Sequence, residues 1–385
     1  MSDFPTHFGV YLDGCYDAPV QYWSGALPAI SDAPEISPVS AVFSGFAPIR
    51  NWRIRPYFCD SLASVCETAL GGVIADITFP GGEERGACHV LWADGRTAIA
   101  TVRTDSGRAL LEERVMRHLY QQAAKVPNVL FYNGIVLIQE VLEGVGLARG
   151  LASATSQQCG EWLAEGFRSL VTIHHAASRE GLDRAVPFLG TSEAWIMRHI
   201  RQVHKTGDAL ALPAPSLPKQ ALHDILLPMN PRFVKWDARP GNAMLSTTGQ
   251  VSWFDWENCG ARNRLDDLVW LLCDESVPFH AEIEQALLEE FVPLFADGAS
   301  IAAAHRYVCI AGALHCSARL SLILHKKADG PWWDIEEILL YDYIGVTLTQ
   351  AQRLCLRGAF LAQCEPLIAS LVPWFLDLNQ KLETL

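Results

Sequence analysis

The chain has 385 residues, 50% hydrophobic and 19% charged, with 30 Lys and Arg against 43 Asp and Glu, a net charge of −13. This is a globular composition with ample core-forming side chains, and it excludes a disordered chain. The acid surplus argues against a nucleic-acid partner, because phosphate contacts need clustered Lys and Arg, and leaves a cationic partner open.

The opening segment MSDFPTHFGVYLDG has an acid at its third residue and no basic region before an apolar stretch, so it does not read as a secretory signal. No uninterrupted apolar run reaches bilayer-spanning length, and no membrane partner is expected. The 11 cysteines are odd in number, scattered and without a CxxC pair, which argues against a disulfide framework or a zinc ribbon. Free thiols in a reducing cytoplasm are the expectation. Oligomeric state is not legible.

In chain order, residues 1–55 are rich in Pro, Gly, Ser and aromatics and read as an irregular extension. Asp60 is expected to cap a helix over DSLASVCETAL that stops at Gly71-Gly72. VIADITF, CHVLW and TAIATVR read as strands. The last two are joined at Asp94-Gly95, where Asp-Gly supplies the positive φ angles of a tight turn. GRALLEERVMRHLYQQAA has helical period, and NVLFYNG and IVLIQEVLEG read as two closing strands. Residues 56–143 thus form a compact α+β lobe. The glycines between Gly144 and Gly150 read as a flexible interlobe connection, since no βαβ unit surrounds them.

From residue 157 the pattern is helical: QQCGEWLAEGFRSLVTIHHAA, SEAWIMRHIRQVH, LPKQALHDILL, RLDDLVWLLCDE, AEIEQALLEEFVPLF and a long helix over 300–327. Of the adjacent His174 and His175, at least one reads as a buried histidine, because neighbours on a helix point apart. In PWWDIEEILLYDY, Asp334, Glu337 and Tyr341 are expected on one helix face beside Trp332 and Trp333. Carboxylates and aromatic faces suit an amine. The plainer reading is an amphipathic helix whose acids face water.

A β island interrupts the helices: RFVKWD, the loop ARPG, NAMLST, then VSWFDW. Asp237 is expected to end a strand, Asn242 to begin the next and Asp255 to end the one after. Hard oxygen ligands of this kind suit Mg²⁺, which takes one or two protein ligands and completes its shell with water and phosphate. A remaining Asp can orient or deprotonate an acceptor hydroxyl, the division of labour in phosphoryl transfer. No HExxH, Walker A or GxSxG motif points to another chemistry.

WDARPGNAML, VSWFDWENCG and RNRLDDLVWLL together resemble the catalytic segment of the aminoglycoside phosphotransferase and choline kinase family. Its pattern runs His-Gly-Asp-Leu-His-Pro-Gly-Asn, a hairpin, Ile-Asp-Trp-Glu, then Asp-Leu-Ala. Asp237, Pro240, Gly241, Asn242, Asp255, Trp256, Glu257, Asp267 and Leu268 stand at the matching places. The resemblance extends over residues 60–380. It implies a bilobal protein-kinase-like α+β fold, with a small β-rich N-lobe and a larger, mostly helical C-lobe over 144–385.

It implies roles as well. Asp237 accepts or orients the acceptor proton, Asn242 and Asp255 hold Mg²⁺ on the phosphates of ATP or GTP, and Asp267 is a structural partner of the catalytic loop. Gly81 and Gly82 belong to a glycine loop, Glu112 is the small-lobe helix acid, and the backbone of Glu140 and Val141 meets adenine. The acceptor is a small molecule: an aminoglycoside, another amino-sugar or nucleoside antibiotic, or an amino alcohol.

The chain departs from the pattern in three ways. Lys235 and Trp236 replace the His and Gly. Glu83 and Glu84 sit within the glycine loop, where acids are unfavourable beside a triphosphate unless they point away. No lysine precedes Lys125, so the strand lysine for the α- and β-phosphates is missing; Thr101 takes its place. Arg103, on the same strand face, could supply that cation and pair with Glu112, and Lys235 could add charge from the other lobe. A second reading is a pseudokinase or a nucleotide- or ligand-binding protein of the same fold, favoured by the absent lysine. A third is another nucleotide chemistry such as nucleotidyl transfer.

Overall fold

A computed structural model describes residues 55–82, 86–103 and 105–385. The expectations for residues 1–54, and for Glu83 and Glu84, lie outside the described residues. Contacts divide what is described into two units, residues 55–142 with 255–258, and residues 143–254 with 259–385.

The first unit opens with α1 (Arg55–Leu70), which begins before Asp60. Asp60 therefore lies inside the helix and does not cap it. Pro56 is tolerated in the first turn, where an N–H has no helical partner to lose. Then come β1 (Ile74–Thr78), β2 (Ala87–Trp92), β3 (Thr97–Val102), α2 (Ser106–Gln121), β4 (Val129–Tyr132) and β5 (Val136–Gln139). They form one antiparallel sheet ordered β1-β2-β3-β5-β4.

Alternation along the strands builds the core. Cys88, Val90 and Trp92 from β2, Ala98 and Ala100 from β3, and Val136 and Ile138 from β5 pack with Phe58, Leu62, Val65 and Cys66 of α1. The β2–β3 turn differs from expectation: only Gly95 is left-handed, at φ 90°. Residues 93–96 join the strands, with the Trp92 amide on the Arg96 carbonyl at 2.9 Å and Asp94 accepting from the Arg96 amide at 3.1 Å, so one glycine suffices.

The second unit starts with β6 (Val145–Gly146), α3 (Leu147–Ala152), α4 (Ser156–Arg179), α5 (Leu182–Ala185), α6 (Glu193–Ile200), α7 (Gln202–Ala209) and α8 (Lys219–Leu226). The glycine stretch expected to be flexible is therefore ordered: β6 pairs with Met244 and Leu245. A β-carbon at Gly144 would lie 2.2 Å from the Leu245 carbonyl, so only glycine allows that approach. The helix read over 193–204 breaks at Arg201 into α6 and α7.

Next come β7 (Arg232–Val234), a 3₁₀ turn (Pro240–Asn242), β8 (Ala243–Leu245), β9 (Val251–Trp253) and β10 (Gly260–Arg262). β6, β8 and β9 form one small sheet, and β7 and β10 another. Helices α9 (Leu265–Leu272), α10 (Ala281–Phe295), α11 (Ile301–Lys327), α12 (Ile335–Tyr341), α13 (Leu348–Gln363) and α14 (Leu371–Leu382) complete the unit. α11 is the central helix, packed by α7, α9 and α13. It is long and apolar enough to cross a membrane, contrary to the sequence expectation, yet 89% of its most apolar stretch is buried in the protein. It is a core helix. The ten cysteines among the described residues are free thiols.

The fold class is α+β, with a small antiparallel sheet and helices in one unit and a larger, mainly helical second unit. Two histidines of the second unit are buried neutral. Burial lowers His174 below its ordinary pKa despite its bond to Asp267, and burial with the nearby Arg319 lowers His315 well below it. Unfolding lets both take up protons once pH falls under about 6.5, so stability declines from there downward, by up to ~1.4 kcal/mol per pH unit for each. Urea unfolding at pH 7.5 and 5.5 should show the loss, and His315→Gln should make it shallower.

Candidate active site

The catalytic-type loop of the second unit is organised around one carboxylate. Asp267, in the first turn of α9, has no exposed surface. It accepts the Lys235 amide at 2.7 Å and the Trp236 amide at 2.8 Å, and pairs with His174 Nε2 at 2.8 Å. A buried carboxylate is tolerated only when its oxygens are satisfied by donors, and here three supply them. The result is a loop held in an unusual backbone. Trp236 and Asp237 are left-handed at φ 52° and 50°, costly for a bulky residue such as tryptophan.

Asp237 is not the end of a strand: β7 stops at Val234, and Asp237 stands in the loop beyond. Asn242 closes the 3₁₀ turn, and the strand starts at Ala243. The turn brings Asn242 back onto Asp237. Its Nδ2 donates to the Asp237 carbonyl at 3.0 Å and to Oδ2 at 2.9 Å. Only an NH₂ group can meet two acceptors, which fixes the amide's orientation. Asn242 Oδ1 faces away and accepts no hydrogen bond among the described residues. The Phe254 amide donates to the Asn242 carbonyl at 3.1 Å, and Asp255 is the next residue. β9 ends at Trp253, so Asp255 too lies past its strand, at φ 59°.

Residues 255–258 pack with the first unit, where Arg103 collects three acids. Its Nε and Nη2 grip Glu112 at 2.8 Å each, Nη2 reaches Asp255 at 3.1 Å, and Nη1 reaches Glu257 at 3.0 Å. The Trp256 amide also donates to Glu112, at 3.2 Å. The three carboxylates raise the Arg103 guanidinium pKa against burial, which would lower it. Glu257 is pushed up to about 7, by burial first and then by Asp255 and Glu112, against the pull of Arg103. Arg103 thus faces three acids, and Arg108 also acts on Glu257. Arg103 directly follows β3, its amide donating to the Ile135 carbonyl at 2.9 Å, and Thr101 is buried.

The other residues singled out from the sequence sit as follows. Lys235 has no exposed surface, and its Nζ lies 5.8 Å from the Trp253 ring. Gly81 and Gly82 form a turn closed by the Gly82 amide on the Phe79 carbonyl at 3.0 Å. The Glu140 amide bonds the Asn128 carbonyl, and its carboxylate accepts the Asn128 amide at 3.0 Å. The Glu140 carbonyl and Val141 amide make no hydrogen bond among the described residues. Asp334 caps α12, accepting from Glu336 and Glu337, and so leaves the helix face on which it was expected.

Sequence reasoning missed Arg239 and Asp342, which form a bidentate ion pair at 2.9 and 2.6 Å beside Asp237. It also missed the His174–Asp267 contact. The available signal was Gly241, where a β-carbon would strike both Arg239 and Asp342 at 2.2 Å.

The chain belongs to the phosphotransferase enzyme family, whose model matches residues 77–304. No curated protein matches the sequence. Among solved structures, the chain is similar to an amicoumacin kinase in complex with AMP-PNP and Ca²⁺, at 15% identity over 70% of this chain and 89% of that one, TM-score 0.47. It is similar to an ethanolamine kinase of Plasmodium vivax, at 13% identity over 85% and 93%, TM-score 0.47. A choline kinase of Streptococcus pneumoniae gives 14% identity over 78% and 99%, TM-score 0.46.

Removing Arg103 as Arg103→Met leaves Glu112, only 1% exposed, without its cation. The loss should be about 3–5 kcal/mol in urea unfolding, as for other broken buried pairs. Arg103→Lys should recover part of it. For Asp267, Asp267→Ala should cost more stability than Asp267→Asn, because Asn keeps one acceptor for the loop amides.

Proposed function

We propose that this protein is a small-molecule kinase that moves the γ-phosphate of ATP or GTP, with Mg²⁺, to a hydroxyl of an amino alcohol, an amino sugar or an antibiotic of the aminoglycoside or nucleoside class. The observation that carries the reading is the Asp237–Asn242 pair, a carboxylate and a carboxamide locked together on a loop that Asp267 pins from beneath. Membership of the phosphotransferase family supports the same chemistry.

In this reading Asp237 orients the acceptor hydroxyl and takes its proton. Its left-handed backbone aims the side chain, and Asn242 fixes one of its oxygens. In this reading Asn242, through its amide oxygen, and Asp255, whose carboxylate is 32% exposed, would hold Mg²⁺, as the family resemblance implies. When bound, Mg²⁺ supplies charge neutralisation on the nucleotide phosphates.

Arg103 makes the ion pair to Glu112 that a strand lysine makes in protein kinases, and it is the better placed of the two candidate cations, since Lys235 is buried. Residues 56–143 hold the nucleotide, with Gly81 and Gly82 near the phosphates and Glu140 and Val141 at adenine. Residues 144–385 take the acceptor.

A second reading, a binding protein without transfer, is favoured by the commitment of Arg103 to three carboxylates. The test offers gentamicin, streptomycin, choline and ethanolamine with Mg-ATP or Mg-GTP and reads phosphorylated product by mass spectrometry. Asp237→Asn should slow transfer by about 10²–10⁴-fold while leaving the nucleotide-induced thermal shift intact. Asp255→Ala should abolish the Mg²⁺-dependent part of that shift. A nucleotide shift without any phosphorylated product would favour the second reading.

A further inference from the structure

Arg239 stands two residues beyond Asp237 and reaches across to Asp342, the residue that ends α12. The contact is end-on and bidentate, Nη1 to Oδ1 at 2.9 Å and Nη2 to Oδ2 at 2.6 Å. The Nε edge faces the catalytic-type carboxylate, with Nε 3.6 Å from Asp237 Oδ1. That is within ion-pair range but beyond a hydrogen bond. With both terminal nitrogens taken end-on by Asp342, Asp237 can meet this guanidinium only along its Nε edge, and there Nε stops at 3.6 Å.

We propose that Asp342 is a positioning residue for phosphoryl transfer, and that it acts by holding Arg239 off Asp237. This rests on Asp237 being the group that orients and deprotonates the acceptor. A carboxylate forked by arginine is a poor base and a poor acceptor of a substrate hydroxyl, because the pair stabilises its charged form and occupies its lone pairs. The Arg239 side chain is only 10% exposed, so its charge has little access to water and must face an acid.

Three acids act on Arg239: Asp342 most strongly, then Asp237, then Asp274. Asp274 is engaged elsewhere, by Ser276 through its hydroxyl and amide and by Arg319 at 3.7 Å. Without the Asp342 charge, Asp237 is the acid to which Arg239 turns.

The tether is built into the backbone. Asp342 sits at φ 50°, the left-handed position that ends α12, where Asp and Asn are the side chains best tolerated. The ion pair rests directly on the peptide of Gly241, where any side chain would collide with both partners. Asp342 thus connects a segment distant in sequence to the geometry of the catalytic-type loop.

The test compares Asp342→Asn, Arg239→Met and the double variant. Asn keeps the size and the left-handed tolerance of Asp342 while removing its charge. In a crystal structure of Asp342→Asn, the Arg239 guanidinium should lie on Asp237 in a forked contact. In turnover, Asp342→Asn should lower kcat by about 10²-fold with little change in nucleotide KM, the mark of a lost general base. The double variant should be faster than Asp342→Asn alone, since removing a misplaced cation frees the base; a purely structural role gives no such rescue.

A guanidinium turned to Asp274 or to solvent in the crystal would overturn the inference. So would a double variant no faster than Asp342→Asn, or an Asp342→Asn enzyme as active as wild type. If wild type phosphorylates no acceptor on the panel, the proposed function and the positioning role fall together, and the crystal structure then tests only whether Asp342 holds Arg239 off Asp237.

Discussion

The buried carboxylate of Asp267 is the constraint on which the second unit's site depends. Its oxygens hold two consecutive backbone amides and one imidazole, all in a place without water. Those amides belong to Lys235 and Trp236, at the start of a stretch that turns left-handed for two residues. Neither tryptophan nor aspartate adopts that conformation without cost. Asp267 offsets the cost by giving the amides a charged acceptor, and Asn242 completes the loop from its other end. The position of Asp237 follows from these two anchors.

Charge compensation recurs in the first unit in a different form. A lysine is a point charge that meets one carboxylate at a time, whereas the Arg103 fork serves Glu112, Asp255 and Glu257 together. The guanidinium ties the helix acid Glu112 to residues 255–257. The net charge of −13 takes on meaning at this scale. Some of the acids lie together around Arg103 in the first unit.

Much of this was legible in the sequence, and the parts that were not have physical reasons. The five strands of the first sheet were readable as short apolar runs between turn residues, and the long helix α11 from its length and apolar content without an internal proline. Asp237, Asn242 and Asp255 were readable because their spacing is dictated by a short loop and a hairpin. Their strand-end placement was wrong by one to three residues, since left-handed loop residues leave no periodic trace.

Gly144 was taken for flexibility when it marks close backbone approach, two roles that one residue type serves equally well. Asp334 looked like a face residue and is a cap, because helical spacing does not reveal where a helix starts. Arg239 and Asp342 are 103 positions apart, and nothing local in either stretch announces the pair.

That long reach has a consequence for how the molecule is made. The amides held by Asp267 lie 31 and 32 positions before it, and His174 lies 93 positions before it. Closing such loops costs entropy before any contact rewards it, so structure of this kind forms late. The loop bearing Asp237 cannot take its strained shape until α4 and α9 have met, and its tether to Asp342 waits for the chain to be built through α12. A nascent chain that has emerged only as far as the β island carries every catalytic-type side chain and none of their geometry. The backbone that presents Asp237 is acquired late in folding, as a property of the finished second unit.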